Sequence, residues 1–154
     1  MMSDQLQSNP LLSRIQATYS QDTQIIGEQS RQALLVERHR LIDIMQILRS
    51  YKAYQFNMLR NLTAVDYVDY LEIIYDLYSL PLRQAITVKA RCSAENSQVP
   101  SVTPLWPSAN FQEREIYDLL GVEFTGHPDL RRILMPEEFT GHPLRKSFTT
   151  GGKR

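Results

Sequence analysis

Six of the eight prolines (Pro100, Pro104, Pro107, Pro128, Pro136 and Pro143) and five of the six glycines lie beyond residue 99 of this 154-residue chain. Proline removes a backbone donor and locks φ, and glycine carries an entropic cost inside helices and strands. The last third is therefore built differently from the rest. The length suits one domain with a core of its own.

In the first two-thirds the hydrophobic period changes repeatedly. Pro10 after Asn9 predicts a short helix with Leu11, Leu12 and Ile15 on one face. Residues 23–27 and 32–36 are β-rich runs around a polar stretch and predict a hairpin. Over 37–51, Leu41, Ile44, Met45 and Leu48 recur at three and four, the stripe of an amphipathic helix. Strands are predicted over 56–67, 70–80 and 86–91; in the middle one Leu71, Ile73, Tyr75 and Leu77 alternate with Glu72, Asp76 and Tyr78. The order implies an α+β fold: a mixed, mainly antiparallel sheet with helices packed on one face.

Beyond this body the pattern thins. Residues 92–100 read as a polar loop, followed by a short turn that anchors Trp106. A helix is predicted over about 108–120, with Asn110 and Glu113 as a capping pair and Gly121 ending it. After Gly121 no period remains, which implies an extended C-terminal segment. Residues 1–100 are assigned to the core body, and 101–154 to this helix and a segment lying on another protein, within one domain overall.

The charge count excludes some functions. Seventeen Lys and Arg balance seventeen Asp and Glu, whereas nucleic-acid binding needs a cationic surplus. Cys92 is the only cysteine, so no Cys-x-x-Cys run exists to hold zinc or an iron–sulfur cluster. There is no glycine-rich or Walker phosphate loop and no apolar run long enough to span a bilayer. No leader is expected from residues 1–7.

Three groups of residues carry candidate chemistry. On one helix Glu113 and Tyr117, and Arg114 and Asp118, are i,i+4 neighbours, while Glu115 and Asp118 are i,i+3. Acid–base work would also need a shaped apolar environment; the run reads as a solvated, salt-bridged face. His127 and His142 each stand in a Gly-His-Pro turn, fifteen residues apart, and match no zinc template. Such turns redirect the chain. Arg131, Arg132, Arg145 and Lys146 are balanced by Asp129, Glu137 and Glu138, and arginine forks suit carboxylates at protein interfaces. Leu130, Ile133, Leu134, Met135, Phe139 and Leu144 make the segment too apolar for simple disorder.

Read continuously, residues 113–146 resemble the signature of the thirty-kilodalton subunit of respiratory complex I, also called the C subunit of NADH-quinone oxidoreductase. The pattern is met by Glu113, Arg114, Glu115, Asp118, Leu119, Leu120, His127 and Arg131. Pro100-Ser101-Val102, Leu105-Trp106-Pro107 and the stretch 62–67 are also similar to the family, so the likeness covers roughly 10–148. Ser147 stands where an acid usually follows the Arg-Lys pair.

The resemblance implies a non-catalytic structural subunit of the peripheral arm of a proton-translocating quinone reductase. It implies packing against the large quinone-site (D-type) subunit and neighbouring peripheral-arm subunits. No cofactor is implied in this chain, with FMN and iron–sulfur clusters in partner subunits. Glu113, Arg114, Glu115 and Asp118 would hold the signature helix, and His127, Asp129, Arg131, Arg132, His142, Arg145 and Lys146 would be interface residues and local ion-pair partners. The chain would meet the membrane only through the complex, on the cytoplasmic side of a bacterial-type energy-transducing membrane, or the matrix or stroma side in an organelle. The alternative is the equivalent subunit of a membrane-bound hydrogenase or of a reductase with another electron donor.

Overall fold

The computed structural model describes residues 9–28 and 31–149. Helix α1 (Pro10–Thr18) begins as its sequence demands: Asn9 Oδ1 accepts from the Leu11 N–H at 2.8 Å, and Pro10 needs no partner. Strands β1 (Thr23–Ile26) and β2 (Ala33–Val36) pair antiparallel as the predicted hairpin. A single 3-10 turn, Arg38–Arg40, then leads into α2 (Leu41–Ser50), so the regular helix starts later than the sequence pattern implied. All four residues of the predicted stripe are buried, each contributing roughly 1.5–3 kcal/mol of apolar burial.

Three long strands follow, β3 (Met58–Asp66), β4 (Tyr70–Ser79) and β5 (Gln84–Ser93). The sheet order is β1-β2-β5-β4-β3, and only the β2–β5 pairing is parallel. The mixed, mainly antiparallel α+β architecture is therefore as expected. Leu71, Ile73, Tyr75 and Leu77 share one continuous core with the buried residues of α1 and α2 and with Leu34, Val36, Val88 and Ala90 from neighbouring strands. Among the described residues the opposite face of the sheet carries no helix. There Glu72 is buried all the same, because Lys89 (3.3 Å) and Arg91 (2.9 Å) fold over it from β5.

The β3–β4 turn is tight and strained. The Asp69 N–H donates to the Tyr67 carbonyl at 2.9 Å across Val68, whose φ is +77°. This is a γ-turn of the strained hand, rare for a β-branched residue. Asp66 holds it, accepting from the Val68 N–H at 2.7 Å.

Two elements escaped the sequence pattern. Residues 98–100, read as loop, form β6 (Gln98–Pro100), and residues 123–125, read as aperiodic, form β7 (Glu123–Thr125); they pair in parallel. Between them lies α3 (Ala109–Leu120). Trp106 is buried just before it, and its indole N–H donates to the Phe56 carbonyl at 3.2 Å. Val99, Val102, Leu105, Ile116, Leu120 and Phe124 join the same core as the sheet.

Candidate functional site

Helix α3 is the centre of the candidate site. Ser108 is its N-cap without a side-chain cap bond, and Gly121 ends it at φ +80°. Gly121 has a second reason to lack a side chain, because a Cβ there would stand 2.7 Å from His142 Cδ2. The predicted Asn110–Glu113 capping pair does not form. Glu113 instead points inward, and its partners lie in the preceding turn: Ser101 Oγ donates to Oε1 at 2.7 Å, and the Val102 N–H to Oε2 at 2.8 Å. The side chain is wholly buried. Burial pushes its pKa up to about 7, against the opposing pull of those two hydrogen bonds.

The expected solvated, salt-bridged face is therefore wrong for its two central carboxylates, since Asp118 is fully buried too. The reason is tertiary: the aperiodic segment 126–149 folds back over the helix, which spacing within the helix cannot show. Asp118 Oδ2 accepts three consecutive backbone N–H groups, from Ile133 (3.1 Å), Leu134 (2.6 Å) and Met135 (2.9 Å). Its Oδ1 receives Arg132 Nη1 at 2.7 Å. Burial would raise its pKa, but these amides and the guanidinium outweigh it and hold the carboxyl below its ordinary value. Arg114, the predicted i,i+4 partner of Asp118, instead donates to the carbonyls of Arg131 and Arg132, both at 3.2 Å.

The other signature residues continue this stitching. Arg132 also donates to the Gly141 carbonyl at 2.7 Å. His142 Nδ1 lies 3.0 Å from the Asp118 carbonyl, with its ring edge-on to Tyr117. Arg145 donates to the carbonyls of Leu120 (2.6 Å) and Ala94 (3.0 Å) and to Ser97 Oγ (2.9 Å), tying the segment to the end of β5. His127 accepts from the Asp129 N–H at Nδ1 (2.9 Å), so its Nε2–H donates to the Asn110 carbonyl (3.1 Å). An imidazole bonded in that way is uncharged, and its 4.0 Å approach to Glu113 is not an ion pair. Beside them the Tyr75 hydroxyl is buried with no hydrogen-bond partner. Burial, and secondly the nearby Glu113, raise its pKa well above the ordinary value.

The side chains of four predicted residues stand apart from this cluster. Asp129 and Arg131 pair with each other at 2.9 Å on the surface. Glu115 and the side chain of Lys146 face solvent. The Lys146 backbone matters instead, its N–H donating at 2.8 Å to Asp66, the carboxylate that also holds the Val68 turn. Sequence reasoning did not single out Asp66, Ser97 or Ser101. Asp66 and Ser101 sit inside stretches that resembled the family, which was the only available signal. Among the described residues, no three His, Cys, Asp or Glu side chains converge so as to hold a metal ion.

The family described as "Respiratory-chain NADH dehydrogenase, 30 Kd subunit" matches residues 34–154. The chain belongs to this family. Among relatives of this respiratory-chain subunit, the NADH-quinone oxidoreductase C subunit of Moorella thermoacetica is 48% identical over 126 residues, covering 79% of this chain and 84% of that protein. The C subunit of the same enzyme from Roseiflexus sp. (strain RS-1) is 44% identical, covering 79% and 71%. Of solved structures, a trypsin-resistant fragment of Nqo5 superposes with a TM-score of 0.65 at 33% identity, covering 78% of this chain and 96% of that one. A chain of the membrane-bound sulfane sulfur reductase, an archaeal respiratory membrane complex, shares the fold at a TM-score of 0.74 and 24% identity, covering 91% and 84%. Among the described residues no helix is long and apolar enough to cross a membrane.

Proposed function

We propose that this respiratory-chain subunit is a non-catalytic structural part of the peripheral arm of a proton-translocating NADH-quinone oxidoreductase. It docks on the large quinone-site subunit through the segment 126–149. The observation that carries this reading is where the motif residues spend their bonding capacity. Glu113, Arg114, Asp118, Arg132, His142 and Arg145 all bind this chain's own backbone or hydroxyl groups. A catalytic constellation leaves groups free to meet substrate; here they shape a surface. That surface presents Leu134 and Leu144, both exposed, with the Asp129–Arg131 pair, a composition suited to a protein partner. FMN and iron–sulfur clusters belong to other subunits in this reading. The chain lies on the cytoplasmic side of the membrane, or its organellar equivalent, held there by the complex.

The test is co-expression. With the large subunit the chain should co-elute as a stable pair, and alone it should oxidise no NADH. Turnover by the isolated chain refutes the non-catalytic role. Identification of the co-purifying subunits by mass spectrometry separates an NADH-linked complex, with its flavin-bearing subunit, from a hydrogenase-type one with a nickel-ligating subunit.

A further inference from the structure

Segment 126–149 gathers at one end of the sheet, where Lys146 meets Asp66 at the end of β3 and Arg145 meets Ala94 just past β5. The other end of the sheet has a different character. On the β5–β4–β3 side it is built from the stretch 49–60, which leaves α2 and enters β3, and from 78–85, which turns from β4 into β5; the β1–β2 turn, with Glu28 and Arg31, lies at the same end on the far side of β5. The two stretches meet directly: Met58 pairs with Tyr78, and the Leu80 N–H donates to Asn57 Oδ1 at 3.3 Å. Together they hold four cations, Arg49, Lys52, Arg60 and Arg83, and not one carboxylate. Among the described residues none of these four takes part in an ion pair. Asp76, two positions up β4, accepts from the Thr87 hydroxyl.

This imbalance stands out in a chain whose total charge is zero. The same end exposes four large apolar side chains: Tyr51 at 57%, Met58 at 40%, Leu80 at 56% and Leu82 at 37%. Arg60 is stacked over the Tyr78 ring at 4.8 Å. Apolar groups and a pre-positioned Arg–Tyr pair, rimmed by cations of one sign, are the makings of an interface core and its steering charges.

We propose that this end of the sheet is a second docking surface, which takes an acidic, apolar-anchored surface of another subunit in the same complex. Carboxylates on the partner supply the charge that this chain omits, and its apolar side chains cover Leu80, Leu82 and Met58. Strand β4 has ten residues, which separates the two docking ends by about 30 Å. The chain then bridges two neighbours. This inference rests on the proposed function for the existence of a complex, but it concerns a surface that the family signature does not touch.

The experiment is site-specific photo-cross-linking in the assembled complex, with a benzophenone side chain in place of Leu80 and, separately, of Leu144. Retention of the chain in the complex and a cross-link from position 144 report on the proposed function. A cross-link from position 80 to a subunit other than the one reached from 144 supports the second surface. Position 80 reacting only with lipid, only with residues 1–8 of its own chain, or with nothing, while position 144 still reacts, overturns it. Failure of the chain to enter any complex overturns both. In parallel, Lys52→Glu with Arg83→Glu should lower the chain's retention in the complex about tenfold, an effect that grows at low ionic strength. The melting temperature of the chain alone should hold, because neither side chain has an intrachain ion pair; unchanged retention refutes the charge argument.

Discussion

Replacing Glu113 by glutamine tests whether the buried carboxyl sets the pH dependence of stability. Glu113 is sealed in the core with its two oxygens facing the Ser101 hydroxyl and the Val102 N–H. Its pKa is raised from the ordinary 4.5 to about 7. The native state therefore keeps a proton that the unfolded chain releases above pH 4.5. Stability must fall as pH rises from 4.5 towards 7 and level off beyond, by about 3 kcal/mol at roughly 1.4 kcal/mol per pH unit. Glutamine reproduces the neutral acid. Its carbonyl accepts from Val102, its amide donates to Ser101 Oγ, and Ser101 turns its own proton to Thr103 Oγ1, 2.8 Å away. Urea denaturation of both proteins between pH 4.5 and 8 is the assay. Near pH 5 the two should be closely matched, and by pH 8 the variant should be the more stable by about 3 kcal/mol. Other titrating groups, Asp66 and Asp118 included, cancel in the difference. A difference constant to within about 0.5 kcal/mol over that range would refute the reasoning and make Glu113 an ordinary carboxyl.

Asp118→Ala leaves Arg132 and three amides without their acceptor and should cost roughly 3–5 kcal/mol. Limited proteolysis should then cut near residues 133–135, and a resistant loop would show the carboxylate to be dispensable. Gly121→Ala forces a Cβ into the positive-φ region and against His142, for a loss of about 2 kcal/mol or more in a denaturant titration. Val68→Gly should do the opposite. It releases the strained turn at an exposed site and should raise stability by about 1 kcal/mol after the entropic cost of glycine; a loss would mean that the turn is not strained.

What could be read in the sequence was whatever repeats. The stripe of α2 and the alternation of β4 recur over ten residues each, and both fell where the period put them. Strands β6 and β7 have three residues each and pair across an intervening helix, so no local pattern marks them. Glu113 shows the deeper limit. Its spacing from Asn110 is that of a capping pair, and only the packing of the 101–102 turn decides that it faces inward. The C-terminal segment was legible as aperiodic and apolar, but its path is fixed by side chain-to-backbone bonds from Asp118, Arg132 and Arg145. Such bonds leave no period at all. Recognition of the motif named those residues without saying what they hold.

The three amides converging on one oxygen of Asp118 bear on how this subunit tolerates mutation. A segment held by strand pairing spreads its dependence over every residue in the ladder. Here the shape of residues 133–135 is stored fifteen positions upstream, in a single side chain. In a saturation scan the loop's exposed positions should accept most replacements, while position 118 accepts almost none, and burial of the loop would be a poor guide to its sensitivity. Drift along the loop is thereby free to retune what it touches, without disturbing how it is held.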